Sequence, residues 1–133
     1  MSLKGTKTEE NLWAAFAGES QTRNKYTYFA EIARHEGHEN IAAVFDILGD
    51  QEKDHAKTIL SFLNGLKDTA TNLRISAENE GYEGTTMYKE FERVAREEGF
   101  MEIADFFENV GKIEMEHEKM FLSLLNQLRK DEA

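Results

Sequence analysis

Two Glu-x-x-His pairs, Glu52/His55 and Glu114/His117, carry the residue types best suited to chemistry. On a helix, residues three apart lie side by side, so each pair presents a carboxylate and an imidazole on one face. Each pair also interrupts an apolar stripe. One stripe reads Ile41, Phe45, Leu48, the pair, then Ile59, Phe62 and Leu66; the other reads Ile103, Phe107, Val110, the pair, then Phe121, Leu124 and Leu128. Two further stripes bring carboxylates to the same level: Leu12, Phe16, Glu19, Tyr26, Ala30, Ala33, and Leu73, Ala77, Glu80, Glu83, Met87, Phe91. Five Glu and two His thus converge on the middle of one core. Buried carboxylates without partners are costly or must be protonated. No Lys or Arg falls on the second or fourth stripe at that level, so metal cations are the expected compensation. Oxygen-rich ligation with one imidazole per metal suits iron or manganese better than a structural zinc site, which favours Cys and His.

The elements that position these residues follow from a helical period throughout the chain. The pattern predicts helices over Thr8–Glu36, Glu39–Leu66, Asn72–Glu98 and Phe100–Arg129, with Thr8 as an N-cap, Gly37 and Gly99 as stops, and residues 67–71 as a loop. The halves repeat. Ala33-Arg34-His35-Glu36-Gly37, Ile41-Ala42 and Phe45 match Ala95-Arg96-Glu97-Glu98-Gly99, Ile103-Ala104 and Phe107 at an offset of 62, as do Tyr26 and Tyr88. One domain over residues 1–133 is expected, built from the helix pairs 8–66 and 72–129 as a four-helix bundle. A Glu from each of two helices plus Glu-x-x-His from the other two is a di-iron or di-manganese ligand set. Glu80 lies 61 rather than 62 residues after Glu19. A one-residue π-bulge near Gly81 and Gly84 would absorb that slip, with Glu78 as the alternative ligand if the register differs. Tyr26 and Tyr88 are candidates to hydrogen-bond the ligand carboxylates, with core packing as the other reading. His35 and His38 lack a Glu three residues before them and read as surface residues. Trp13, Phe16, Phe29, Phe91 and Phe121 read as core.

Composition narrows the function classes. The 133 residues carry 26 acidic and 16 basic side chains, a formal net charge of −10, which disfavours nucleic acid and anionic membrane as partners. There is no Cys, which excludes disulfides, thiol catalysis and rubredoxin-type iron within these residues. There is also no Pro, in keeping with long unbroken helices. The N-terminus shows no basic-then-apolar signal region, so a cytoplasmic location is expected.

At these same residues the sequence resembles the rubrerythrins, specifically their ferritin-like di-iron domain. Phe16-Ala17-Gly18-Glu19-Ser20, Asp50-Gln51-Glu52-Lys53-Asp54-His55-Ala56-Lys57, Met87-Tyr88 with Ala95–Gly99, and Glu114-Met115-Glu116-His117-Glu118-Lys119 are similar to the four helix motifs of that family. The resemblance implies two irons held by Glu19, Glu52, His55, Glu80, Glu83, Glu114 and His117, with manganese or zinc as substitutes. It implies that Glu52 and Glu114 bridge the metals, that Glu19 holds one iron, and that Glu80 and His117 hold the other. It further implies that the first iron exchanges a carboxylate for a histidine as its redox state changes. Glu83 and His55 would then be the catalytic pair. Ferritin-type sites lack the extra carboxylate, so Glu83 directs the reading toward peroxidase. The implied activity is reduction of hydrogen peroxide, with electrons from a separate donor such as a rubredoxin. The alternatives are a ferroxidase for iron detoxification and a non-catalytic metal-stabilised module.

Long-loop relatives cross the bundle between the second and third helices. Here five loop residues reach roughly 17 Å, whereas helices of this length run about 40 Å. The topology is then either up-down-up-down within one chain or an exchange of helix pairs between two chains. The resemblance to short-loop relatives favours the second, a domain-swapped homodimer.

Overall fold

The computed structural model describes residues 2–132, and every regular element among them is helical. Helix α1 spans Lys7–His35 and α2 spans Glu39–Phe62. The third helical rod comprises α3 (Thr69–Tyr82), a π-helical turn (Glu83–Met87) and α4 (Tyr88–Glu97). Helix α5 spans Met101–Glu132. The chain divides into two compact units, Met1–Leu66 and Lys67–Ala133, each an antiparallel helix pair.

The two turns within these pairs are built alike. Gly37 and Gly99 adopt φ of +85° and +87°, which a side chain rarely tolerates. Their N–H groups donate to Arg34 O and Arg96 O, and the next residues, His38 and Phe100, donate to Ala33 O and Ala95 O. These bonds satisfy the last carbonyls of each helix in a Schellman pattern.

Other helix ends differ from the sequence expectation for local reasons. Thr6, not Thr8, caps α1: its Oγ accepts from Glu9 N–H at 3.0 Å. Helix α2 stops at Phe62 rather than Leu66, because Asn64 takes the left-handed region at φ 57° and Gly65 N–H closes back onto Leu60 O. Helix α3 begins at Thr69 rather than Asn72, because Asp68 accepts from Thr71 N–H at 2.8 Å. Hydrogen bonding from Thr71 holds the Asp68 carboxyl below its ordinary range. The cap's ionic contribution is therefore complete above an unfolded-state pKa of about 3.9. It is lost as the pH falls through the lower folded value. Helix α5 continues to Glu132, past the expected end at Arg129.

Small residues line the seam of each pair. Ala30, Ala33, Ala42, Gly49 and Ala56 are buried in the first; Ala77, Gly81, Gly84, Ala95, Ala104, Gly111 and Leu125 are buried in the second. Close helix approach lets the rings interlock beside the seam. Phe45 packs on Tyr26 and Phe29 with centroids 5.5 and 5.7 Å apart, and Phe107 packs on Tyr88 and Phe91 at 5.9 and 5.6 Å. Two helices share only one seam, so each pair leaves much of its apolar stripe uncovered. Ile41, Leu48, Phe62 and Leu66 are exposed in the first pair, and Ile103 and Leu124 in the second. Trp13, Phe29 and Phe91, read as core from sequence, are exposed for the same reason.

The helices approach closely at Gly84, where a Cβ would lie 2.8 Å from Gly111 O and 2.6 Å from Met115 Cγ. Gly84→Val should therefore destabilise the second pair by about 1–3 kcal/mol through overpacking. A lowered urea midpoint with an unchanged m-value would register this; an unchanged midpoint would contradict it.

Candidate metal centre

The first helix pair brings Glu19 of α1 to Glu52 and His55 of α2. His55 Nδ1 lies 3.5 Å from Glu19 Oε2 and 3.6 Å from Glu52 Oε2. The second pair repeats the arrangement. His117 Nδ1 of α5 lies 3.7 Å from Glu80 Oε1 of α3 and 3.7 Å from Glu114 Oε2. In each triad, one ligand atom per residue lies within 4.8 Å of the others. The carboxylates are mostly covered by their own helices, with side-chain exposures of 28% for Glu19, 22% for Glu52, 23% for Glu80 and 16% for Glu114.

Two atoms test whether these residues suit a metal. Glu19 Oε2 and Glu80 Oε2 are buried and have no hydrogen-bond partner. A buried carboxylate oxygen without a donor carries a desolvation cost that a cation would remove. Among the described residues, no Lys or Arg forms an ion pair with Glu19, Glu52, Glu80 or Glu114. Two carboxylates and an imidazole form a hard, oxygen-rich donor set that fits divalent iron or manganese.

The π-turn accounts for the slip in the internal repeat. Glu80 lies 61 residues after Glu19, whereas Tyr88 lies 62 after Tyr26, so one extra residue falls between Glu80 and Tyr88. Glu83–Met87 is the π-helical segment in that interval. Such a turn accommodates one residue without ending the helix. Thr85 donates its hydroxyl to Gly81 O at 2.6 Å, satisfying a carbonyl within the distorted stretch. Glu78, the alternative ligand, is instead paired with Arg74 at 2.9 Å.

Glu83 opens the π-turn, half-buried and one turn beyond Glu80, and is not part of the second triad. Tyr26 and Tyr88 pack their rings against Phe45 and Phe107; neither makes a hydrogen bond to a ligand carboxylate among the described residues. His35 and His38 are exposed and belong to neither triad.

Glu118 was not singled out from sequence. Its carboxylate occupies the space that a side chain at Gly81 would need, beside Glu80. The detectable signal was a break in the repeat: at an offset of 62 its counterpart is Ala56, so this carboxylate is peculiar to the second pair.

Helix pairs that each hold a Glu, Glu, His triad are the ligand pattern of the ferritin-like carboxylate metalloproteins. Comparison with known proteins narrows that class. The rubrerythrin family model matches residues 10–125. The rubrerythrin of Porphyromonas gingivalis is 47% identical across 93% of this chain and 68% of its own length. That of Nitratidesulfovibrio vulgaris is 43% identical across 96% of this chain and 74% of its own. A solved structure of fully reduced, all-ferrous nigerythrin aligns with 96% of this chain and 72% of that one, at 30% identity and a TM-score of 0.47. The chain belongs to the rubrerythrin family, and is thus a di-iron protein of the rubrerythrin type.

The register of the third helical rod can be tested directly. Glu80→Ala should weaken iron binding by about tenfold or more, on the scale of metal-site perturbations. Glu78→Ala should leave it unchanged. Iron titration with metal analysis of both variants checks this; the opposite pattern would place the ligand at Glu78.

Proposed function

We propose that this protein is a non-haem di-iron peroxidase that reduces hydrogen peroxide to water with electrons from a separate donor such as a rubredoxin. The observation that carries the reading is the pair of matched triads, with Glu83 one helical turn beyond Glu80 of the second. The ligands proposed are Glu19, Glu52, His55, Glu80, Glu83, Glu114 and His117. Their carboxylates outnumber what two divalent ions neutralise, which favours the higher charge reached on oxidation. When bound, the iron pair supplies the two electrons that cleave the O–O bond. With two protons the overall change is hydrogen peroxide to two waters.

The chain's own residues set the conditions for that step. Glu52 and Glu114, each three residues before its imidazole, would be the ligands shared by the two metals. Glu83 keeps α-region dihedrals but opens the π-turn, where the regular α-helical hydrogen-bond ladder is interrupted, which suits a ligand that changes position. Phe16 and Phe121 lie about one helical turn from Glu19 and His117, and Phe45 and Phe62 about two turns from Glu52 and His55, an apolar setting that favours a small oxidant over an organic substrate. The absence of Cys from these 133 residues places the electron donor outside them. A cytoplasmic role in oxidative-stress defence agrees with this chemistry.

We also propose that the working form is a homodimer with exchanged helix pairs. Residues 63–68 link α2 to α3 and reach roughly 20 Å when extended. Crossing a 24-residue helix such as α2 requires about 36 Å. Helix pairs from two chains meet without that crossing and cover the apolar stripes each pair leaves exposed. Each centre would then take Glu19, Glu52 and His55 from one chain and Glu80, Glu83, Glu114 and His117 from its partner.

Two experiments examine these proposals. Glu83→Ala should retain both irons while the peroxidase rate falls by about tenfold or more; an unchanged rate would refute the role. Glu52→Ala and Glu114→Ala chains, each inactive alone, should recover about a quarter of wild-type activity when unfolded and refolded together, because half the dimers carry one intact centre. No recovery would mean that each centre is built within one chain.

A further inference from the structure

We propose that each helix pair is a complete single-ion site able to load on its own triad, and that the di-metal centre forms when two such halves come to share Glu52 and Glu114. The inference rests on the di-metal reading above and deepens it. Each triad converges within one pair: Glu19, Glu52 and His55 need only α1 and α2, and Glu80, Glu114 and His117 need only α3 and α5. The imidazole-to-carboxylate distances are nearly the same in the two pairs, 3.5 and 3.6 Å against 3.7 and 3.7 Å. Each triad holds one buried carboxylate oxygen without a partner, Glu19 Oε2 or Glu80 Oε2. The small-residue seam that aligns each triad is also internal to its pair.

Charge gives the order of events a physical reason. Two carboxylates and one neutral imidazole balance one divalent cation within a single pair. Bringing the pairs together without metal would confront Glu19, Glu52, Glu80, Glu83 and Glu114 in an apolar setting, a costly accumulation of like charge. Loading each half first removes most of that cost. Glu83, which lies outside the second triad, is not required for this loading.

Cobalt(II) titration of the full-length protein, read by native mass spectrometry, tests the proposal. At one cobalt per chain, halves that load singly should leave a substantial population of complexes with an odd number of ions, up to about half in the limit of uncoupled equivalent sites. Only even numbers would mean an all-or-none centre and would overturn the inference. As a second test, the double variant Glu80→Gln/His117→Gln should keep one cobalt per chain, held by the intact triad. The reciprocal Glu19→Gln/His55→Gln should behave alike, with helicity checked by circular dichroism. Loss of both ions from a folded variant would also overturn the inference while leaving the di-metal reading intact. Wild-type protein that binds no cobalt at these ligands would overturn both. The mass spectra of the wild type decide the matter even if a variant fails to fold.

Discussion

Carboxylates held on apolar helix faces are the constraint around which this protein is organised. Glu19, Glu52, Glu80 and Glu114 are largely covered by their own helices, and two of their oxygens are buried without a hydrogen-bond donor. Left uncompensated, such groups oppose folding. The neighbouring basic residues do not answer them. Arg34 pairs with Glu39 and Asp46, and Arg96 with Glu92, Asp105 and Glu108, bracing the helix pairs away from the triads. Those carboxylates hold both guanidinium groups more firmly protonated than usual. The charge balance at the triads is thus left to metal, and stability and chemistry become coupled.

Duplication explains how so few residues build the arrangement. The Schellman turns at Gly37 and Gly99, the ring clusters of Phe45 and Phe107, and the two triads are the same design used twice. The departures from the repeat fall in the second pair. The π-turn adds a residue after Glu80, and Glu118 replaces the small Ala56. These changes give the second half Glu83 and a further carboxylate beside Gly81, so that the two halves differ next to their matched triads.

Much of this was legible in the sequence, because the signals were strong and repeated. Periodicity located four helical rods; the interrupted stripes marked the triads; the one-residue slip called for a π-turn, which lies between Glu80 and Tyr88. Helix ends were less legible. They depend on single hydrogen bonds and single backbone angles, as at Thr6, Asn64 and Asp68, which apolar periodicity does not encode. Exposure was misjudged for Trp13, Phe29 and Phe91, since an apolar residue has the same pattern whether its cover comes from its own helix pair or from another. Glu118 was hidden because a Glu beside a His on a charged helix looks like an ordinary surface residue until the Gly81 backbone is seen beneath it.

Paired triads that serve peroxide reduction must react faster with peroxide than with dioxygen. Mixing the anaerobic diferrous protein with one equivalent of hydrogen peroxide in a stopped-flow spectrometer, and separately with air-saturated buffer, tests it most directly. A peroxidase centre should oxidise rapidly with peroxide and slowly with dioxygen. Faster oxidation by dioxygen would contradict that function and would point to a ferroxidase.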